Sequence, residues 1–134
     1  MKKAISIILT VLSIVSILGI TVVAVEPRWN NAASATASLV INDSGVADAA
    51  FSCIGISNVT TRIVAETKLE RKWGIFWLDV DGAEWTDTTT KSYLSAGHTI
   101  QLSKTGTYRM TTKLTVSGTG GSNDTITVTS EDTY

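Results

Sequence analysis

Apolar and polar positions alternate with a period of two along most of the chain after residue 34. The alternation is clearest over 108–116, and it recurs over 35–41, 63–69 and 126–128. A period of two places successive side chains on opposite faces of a β-strand. Each of these segments is therefore predicted to be a strand with one face toward a core and the other toward solvent.

Short polar or glycine-containing clusters separate the alternating segments. They lie at 42–45, 57–58, 81–82, 97, 104–106 and 118–124. Turn signals at intervals of roughly ten residues are typical of β-sandwiches. The pattern predicts an all-β fold with seven or eight short antiparallel strands, in which Asp81-Gly82 and Gly97 turn the chain.

Tyr108 opens the penultimate predicted strand, which is where immunoglobulin-like domains place a tyrosine whose hydroxyl binds the backbone. In antibody domains a cysteine follows two residues later, and here that position is Met110. Cys53, the one cysteine of the chain, lies in the second predicted strand among apolar neighbours. We therefore predict an immunoglobulin-like β-sandwich in which buried Cys53 and Met110 form an apolar pair between the sheets instead of a disulfide.

The start of the chain has the pattern of a secretory signal peptide. Lys2 and Lys3 precede an uncharged, mainly apolar run over 4–23, and Ala24 supplies a small residue for cleavage. This predicts a signal helix over 1–24, cleavage after Ala24 and a secreted, extracellular protein. The alternative is an uncleaved N-terminal membrane anchor, because about 20 apolar residues can span a bilayer. A short arm over 25–33 would then precede a sandwich domain over 34–134.

Charge narrows the class of partner. The chain has eleven basic and twelve acidic residues, and without Lys2 and Lys3 the nine remaining basic residues leave a net charge of −3. Nucleic acid binding requires a clustered basic face, so nucleic acid is excluded as a partner. Electrostatic capture by anionic lipid is disfavoured as well, so membrane contact is expected only through the N-terminal segment if it stays uncleaved.

Candidate chemistry is sparse. His98 is the sole histidine and is predicted to lie in a solvated turn, without a second histidine for a metal or a marked nucleophile. Asp79, Asp81 and Glu84 surround Gly82 and faintly resemble a calcium loop, but Asp-Gly is also a common hairpin turn. The turn is the preferred interpretation and the calcium site the alternative. No catalytic residue, metal or cofactor is predicted, and the protein is not expected to be an enzyme.

The tryptophans form the candidate binding site. Trp73 and Trp77 share a face if the strand runs on through Ile75, and Phe76 and its neighbours then make the other face apolar too. Either both faces are covered by the core, or one is an exposed interaction surface. Trp85 opens the next, threonine-rich segment and would complete an aromatic face with Trp73 and Trp77.

Several of these residues also carry a resemblance. Leu-Glu-Arg-Lys at 69–72, then Trp77, Trp85 and Gly-Thr-Tyr-Arg at 106–109, resemble an uncharacterised family of small secreted β-rich proteins of clostridial-type Gram-positive bacteria. Arg-Trp-Asn-Asn at 28–31 is similar to that family's opening. The resemblance covers nearly all of 25–134 and implies a bacterial, exported protein. It implies no catalytic residues.

Together these features predict a secreted binding or surface-interaction module. Because tryptophan stacks on sugar rings, a glycan is one candidate ligand, and a protein is the other. The alternative is a structural or self-associating extracellular protein whose exposed apolar strand pairs between copies.

Overall fold

Seven strands make up most of residues 28–134, the part of the chain that the computed structural model describes. They are β1 (Ala32–Ile41), β2 (Val46–Gly55), β3 (Thr60–Trp73), β4 (Phe76–Thr89), β5 (Tyr93–Gln101), β6 (Thr107–Gly118) and β7 (Asp124–Thr133). Within this range, none of the structure is a helix of the length and hydrophobicity needed to cross a bilayer. The predicted signal helix and its cleavage site lie outside the described residues.

The strands form two antiparallel sheets. One has the order β1-β2-β5 and the other β4-β3-β6-β7. The β3–β4 hairpin stays within the four-stranded sheet, whereas the connection from β4 to β5 crosses to the three-stranded one. The inner faces of the two sheets pack against each other, which confirms the predicted all-β sandwich of antiparallel strands.

Period-two alternation builds the core. Fully or almost fully buried side chains from both sheets include Leu39, Phe51, Cys53, Ile63, Leu69, Met110, Leu114 and Val116. Two threonines also face inward, and Thr67 and Thr112 share a hydrogen bond of 2.8 Å between their hydroxyl oxygens. Across residues 28–134 every buried side-chain nitrogen and oxygen has a partner, so the core carries no unpaired polar atom.

The predicted tyrosine corner is present. The hydroxyl of Tyr108 donates to the carbonyl of Lys104 at 2.5 Å, and burial raises the pKa of that hydroxyl. Cys53 and Met110 are fully buried in opposite sheets of the same core. Burial also raises the pKa of the Cys53 thiol to about 11, which keeps it protonated and unreactive.

Side chains of β7 close one side of the sandwich. Asp124 accepts hydrogen bonds from the backbone amides of Asn30, Asn31 and Ala32 at 2.8, 2.6 and 3.0 Å. Farther along the same edge, Asp132 accepts from the Ile41 amide at 2.8 Å. These hydrogen bonds satisfy backbone amides at the edge of β1, with which a further strand would otherwise pair. These bonds also fix Asn30 and Asn31, which fall within the predicted arm.

Two predicted turns are wrong. Asp81 and Gly82 lie inside β4 in a bulge, because Lys68 pairs with Glu84 and Glu70 with Asp79, leaving four residues of β4 opposite one of β3. Gly97 lies within β5, opposite Ala50, and the strand continues through it. Neither Asp-Gly nor a lone glycine ends a strand when the partner strand continues to pair beyond it.

Candidate binding surface

The β3–β4 hairpin projects past the end of its sheet. The last residue pair between β3 and β6 is Arg71 with Tyr108. In the two rungs of the hairpin beyond it, β3 and β4 therefore pair only with each other. Two residues, Gly74 and Ile75, connect the strands. Gly74 has a φ of +62° and comes first in this loop, as glycine does in a type II′ hairpin turn. The end of the hairpin is therefore a narrow, two-stranded projection.

Four large apolar side chains are exposed at this projection. Ile75 is 87% exposed, Trp73 62%, Phe76 58% and Leu78 49%. Trp73 pairs directly with Phe76, and two rungs down Leu78 lies on the same face of the hairpin. We call these four residues the apolar tip. Exposed apolar side chains scattered singly need no explanation, whereas contiguous exposed apolar patches are typical of interaction surfaces.

Trp77 lies on the other face of the hairpin. It pairs with Lys72, one rung from the Trp73 pair, so the prediction that Trp73 and Trp77 share a face is wrong. The physical reason is the turn at Gly74-Ile75, which reverses the chain between the two tryptophans. Trp77 is half-buried, and the guanidinium carbon of Arg109 lies 4.3 Å from the centre of its ring. One face of this indole is therefore already occupied by a cation–π contact.

An ion-pair network supports that contact. Arg109 donates to one carboxylate oxygen of Glu70 through Nη2 at 2.9 Å and Nε at 3.3 Å. Lys68 Nζ lies 3.8 Å from the second oxygen of Glu70 and 3.6 Å from Asp79. Glu70 is 7% exposed although it lies on the outer face of the sheet, because these side chains cover it. The network fixes Arg109 over Trp77.

Trp85 lies elsewhere, on the inner face of β4. Its ring stacks on that of His98 with centroids 4.9 Å apart and an angle of 4° between the planes. Nε2 of His98 is hydrogen-bonded to Oδ2 of Asp87 at 2.6 Å. His98 is thus a half-buried residue of β5, and its predicted place in a solvated turn is wrong. The cluster of Trp85, Asp87 and His98 lies between β4 and β5. These are the edge strands of the two sheets on the side opposite β7.

The three predicted contact residues consequently occupy three different places. Trp73 is at the apolar tip, Trp77 is beneath Arg109 on the outer face, and Trp85 is between the sheets against His98. They do not form one aromatic platform. Ile75 is the fourth residue of the apolar tip, and it was not among the predicted contact residues. Its position could have been predicted from Gly74-Ile75, because a Gly-X pair is typical of a two-residue hairpin turn.

The carboxylates considered for calcium do not gather into a metal site. Asp79 points toward Lys68, and the bulge separates it from Glu84. Across 28–134 there is no group of three or more histidine, cysteine, aspartate or glutamate side chains arranged to hold a metal ion.

Two grooves lie on the outer faces of the sheets, away from the tip. One of about 630 Å³ on the four-stranded sheet interleaves acidic and basic side chains, including Glu66, Lys68, Glu84 and Lys113. The other, of about 560 Å³, lies on the three-stranded sheet and is lined mainly by serine, threonine, alanine and glycine. Neither concentrates one charge or presents a nucleophile beside a base. Compared with known proteins, the chain matched no family model, no curated protein and no solved structure.

Proposed function

We propose that this protein is a secreted extracellular binding module that attaches to its partner through the apolar tip. The observation that carries the proposal is the clustering of four large apolar side chains, each 49–87% exposed, at one projecting turn. The signal-peptide pattern of residues 1–24 supports the extracellular setting.

The tip is not needed by the core. The hairpin passes the last β6 rung at Arg71 before it reaches Trp73, so Trp73, Ile75 and Phe76 lie beyond the last pairing with β6, and Leu78 lies at that rung. Burial of apolar surface stabilises a protein by about 25 cal/mol per Å², and side chains this exposed gain little of it. Polar residues would serve a free hairpin equally well, so the apolar composition favours a role in contact with a partner.

The chemistry of the tip favours an apolar partner over a glycan. A sugar site combines an aromatic face with polar groups that bind hydroxyls, but Trp73 pairs with Phe76, and Arg71 on the same face already donates to the carbonyl of Thr105. Trp77 has polar neighbours, yet Arg109 already covers one face of its ring. Glycan binding therefore has less support than attachment to an apolar surface.

The test uses residues 25–134, which contain all seven described strands and the contacts described between them. Ile75→Asp places a charge at the apex without disturbing the core, because Ile75 is 87% exposed. Ile54→Asp is the matched control, since Ile54 is 52% exposed on β2 at the other end of the sandwich. Thermal unfolding confirms that both variants are folded before binding is compared.

Each protein is offered to intact bacterial cells, mammalian cells and immobilised cell-wall glycans. We expect at least one surface to retain the unmodified chain and Ile54→Asp, and to retain Ile75→Asp about tenfold less. No retention on any surface, or equal retention of the two variants, would contradict the proposal. A concentration-dependent dimer that Ile75→Asp abolishes would instead support the self-associating alternative.

A further inference from the structure

We infer that the surface to which the apolar tip attaches is the interface of a lipid bilayer. This inference rests on the proposed binding function and identifies its partner. It is based on the shape of the tip, the distribution of charge behind it and the pairing of its backbone.

The end of the hairpin carries apolar side chains on both faces and at its apex, and the basic residues Arg71 and Lys72 flank them. Trp73, Phe76 and Leu78 lie on one face of the hairpin, Trp77 lies on the other, and Ile75 is at the apex. A flat protein partner or a second copy of the sheet would contact one face of a hairpin and leave the other in water. A bilayer interface surrounds an inserted projection, so it buries both faces at once.

Charge is distributed along the hairpin as interfacial insertion requires. The eight residues over 71–78 contain no carboxylate, and their two charged members, Arg71 and Lys72, are basic. The first carboxylates are Glu70 and Asp79, which pair with each other three rungs behind Trp73 and Phe76. At about 3.4 Å per residue this places them about 10 Å behind the outermost pair. That distance matches the depth of about 5–10 Å to which interfacial segments enter the headgroup region.

The backbone sets a limit to the depth. Beyond Arg71 none of the other strands described over 28–134 pairs with β3 as a third strand, so the edges of the outermost rungs keep amides and carbonyls that these strands do not pair. Such groups are not tolerated in the hydrocarbon core, but they are satisfied by water at the headgroups. Tryptophan also prefers this zone, where its ring is apolar and its N–H can reach a hydrogen-bond acceptor. The tip is therefore suited to shallow, reversible insertion.

Attachment of this kind does not need a basic protein. The net charge of −3 that remains without Lys2 and Lys3 argues against electrostatic capture, but insertion is driven by burial of apolar surface. Binding should therefore occur on zwitterionic lipid and should depend little on salt. This adds a route to the membrane beyond the N-terminal segment.

The first experiment is co-sedimentation of residues 25–134 with phosphatidylcholine vesicles at 0.1 and 0.5 M NaCl. Omitting residues 1–24 removes an apolar run that would itself bind lipid. We expect the unmodified chain and Ile54→Asp to bind alike, Ile75→Asp to bind about tenfold more weakly, and the added salt to change binding less than about twofold. Absence of binding, or equal binding of the two variants, would overturn the inference.

A second experiment measures depth. Phosphatidylcholine carrying a nitroxide either near the headgroup or near the end of the acyl chain quenches tryptophan fluorescence according to distance. We expect stronger quenching by the shallow probe, and weaker shallow quenching in Trp73→Phe, which keeps an aromatic ring at the tip and still binds. Stronger quenching by the deep probe, or quenching that Trp73→Phe leaves unchanged, would overturn the shallow insertion of Trp73.

The outcomes separate this inference from the proposed function. If vesicles do not bind the chain but Ile75→Asp releases it from cells or glycans, the tip is a binding site and the bilayer is not its partner. If Ile75→Asp changes binding on no surface, both the inference and the proposed function fail.

Discussion

Gly45 shows how closely the end of the sandwich is packed at the scale of one residue. Its φ is +81°, a conformation that L side chains adopt only with strain, and a Cβ atom at this position would lie 2.6 Å from Cζ of Tyr134. Gly82 has a similar φ of +74°, but a Cβ there would meet nothing within 4 Å. The two glycines thus share the backbone requirement and differ in the space around them.

We predict that Gly45→Ala lowers the free energy of unfolding more than Gly82→Ala does. The positive φ costs alanine about 1 kcal/mol at either position, and displacement of the Tyr134 ring adds about 1–2 kcal/mol at Gly45 alone. Urea denaturation of the two variants measures the difference. Equal losses would show that Tyr134 moves aside without cost.

Asp132 makes one part of the stability depend on pH. Hydrogen bonds from the backbone amides of Ile41 and Thr133 lower the pKa of this carboxylate. Because the pKa is lower in the folded state than in the unfolded state, the carboxylate stabilises the fold above the unfolded pKa of about 4. That contribution is lost as the pH falls through the unfolded and then the folded pKa.

We therefore predict that Asp132→Asn lowers the free energy of unfolding at pH 7 and that its difference from the unmodified chain shrinks below about pH 4. Urea denaturation between pH 7 and pH 2 measures this difference. A gap that stays constant over the whole range would mean that the charge of Asp132 does not contribute.

At the scale of the elements, the two open sides of the sandwich are closed differently. On the β1–β7 side, carboxylates bind backbone amides at several points. On the β4–β5 side, Asp87 and His98 make a side-chain hydrogen bond of 2.6 Å, and Trp85 stacks on His98. All three side chains are half-buried, so their contact is partly shielded from water.

We predict that Asp87→Ala and His98→Ala each lower the free energy of unfolding by about 1–2 kcal/mol. In the double variant their effects should fall short of additivity by about 1 kcal/mol, because either single change already breaks the bond. Asp79→Ala is the control, since Asp79 is 65% exposed and pairs with Lys68 at 3.6 Å, a contact with an expected contribution below about 1 kcal/mol. Strict additivity of Asp87→Ala and His98→Ala would refute the coupling.

The elements also show how far the sequence could predict the structure. Alternation identified the inward face of β6, and the apolar neighbours of Cys53 indicated its buried position, because both are local features of the sequence. The roles of Gly74, Gly82 and Gly97 could not be read in the same way. Gly74 is in a turn, Gly82 is in a bulge and Gly97 is within a strand. Which of these places a glycine takes is decided by the register of its strand against the neighbouring strand. The faces of Trp73 and Trp77 were mispredicted for that reason.

At the scale of the whole molecule, the apolar tip and residue 30 lie at opposite ends of the sandwich. The tip begins at the rung where Arg71 meets Tyr108 at the start of β6, whereas Asn30 contacts Ser122, just after β6 ends. The described chain therefore enters the domain at the end away from the tip.

The fold class could be predicted from the spacing of strands and turns, but the apolar tip could not. Exposure of Trp73 depends on β3 and β4 extending past the first residue of β6, and nothing local to either strand encodes that difference in length. Similarly, Arg109 is near Trp77 only because β6 pairs with β3 in one register. These are tertiary relations between strands more than 30 residues apart.

The central claim is that the apolar tip is the contact surface of the molecule. It is tested most directly by the ratio of bound Ile75→Asp to bound Ile54→Asp, measured on phosphatidylcholine vesicles, cells and cell-wall glycans with folded 25–134 protein. A contact surface at the tip predicts a ratio of about 0.1 on the surface that the protein binds, and the bilayer inference predicts that the vesicles are such a surface. A ratio near 1 on every surface that retains the chain would contradict the claim.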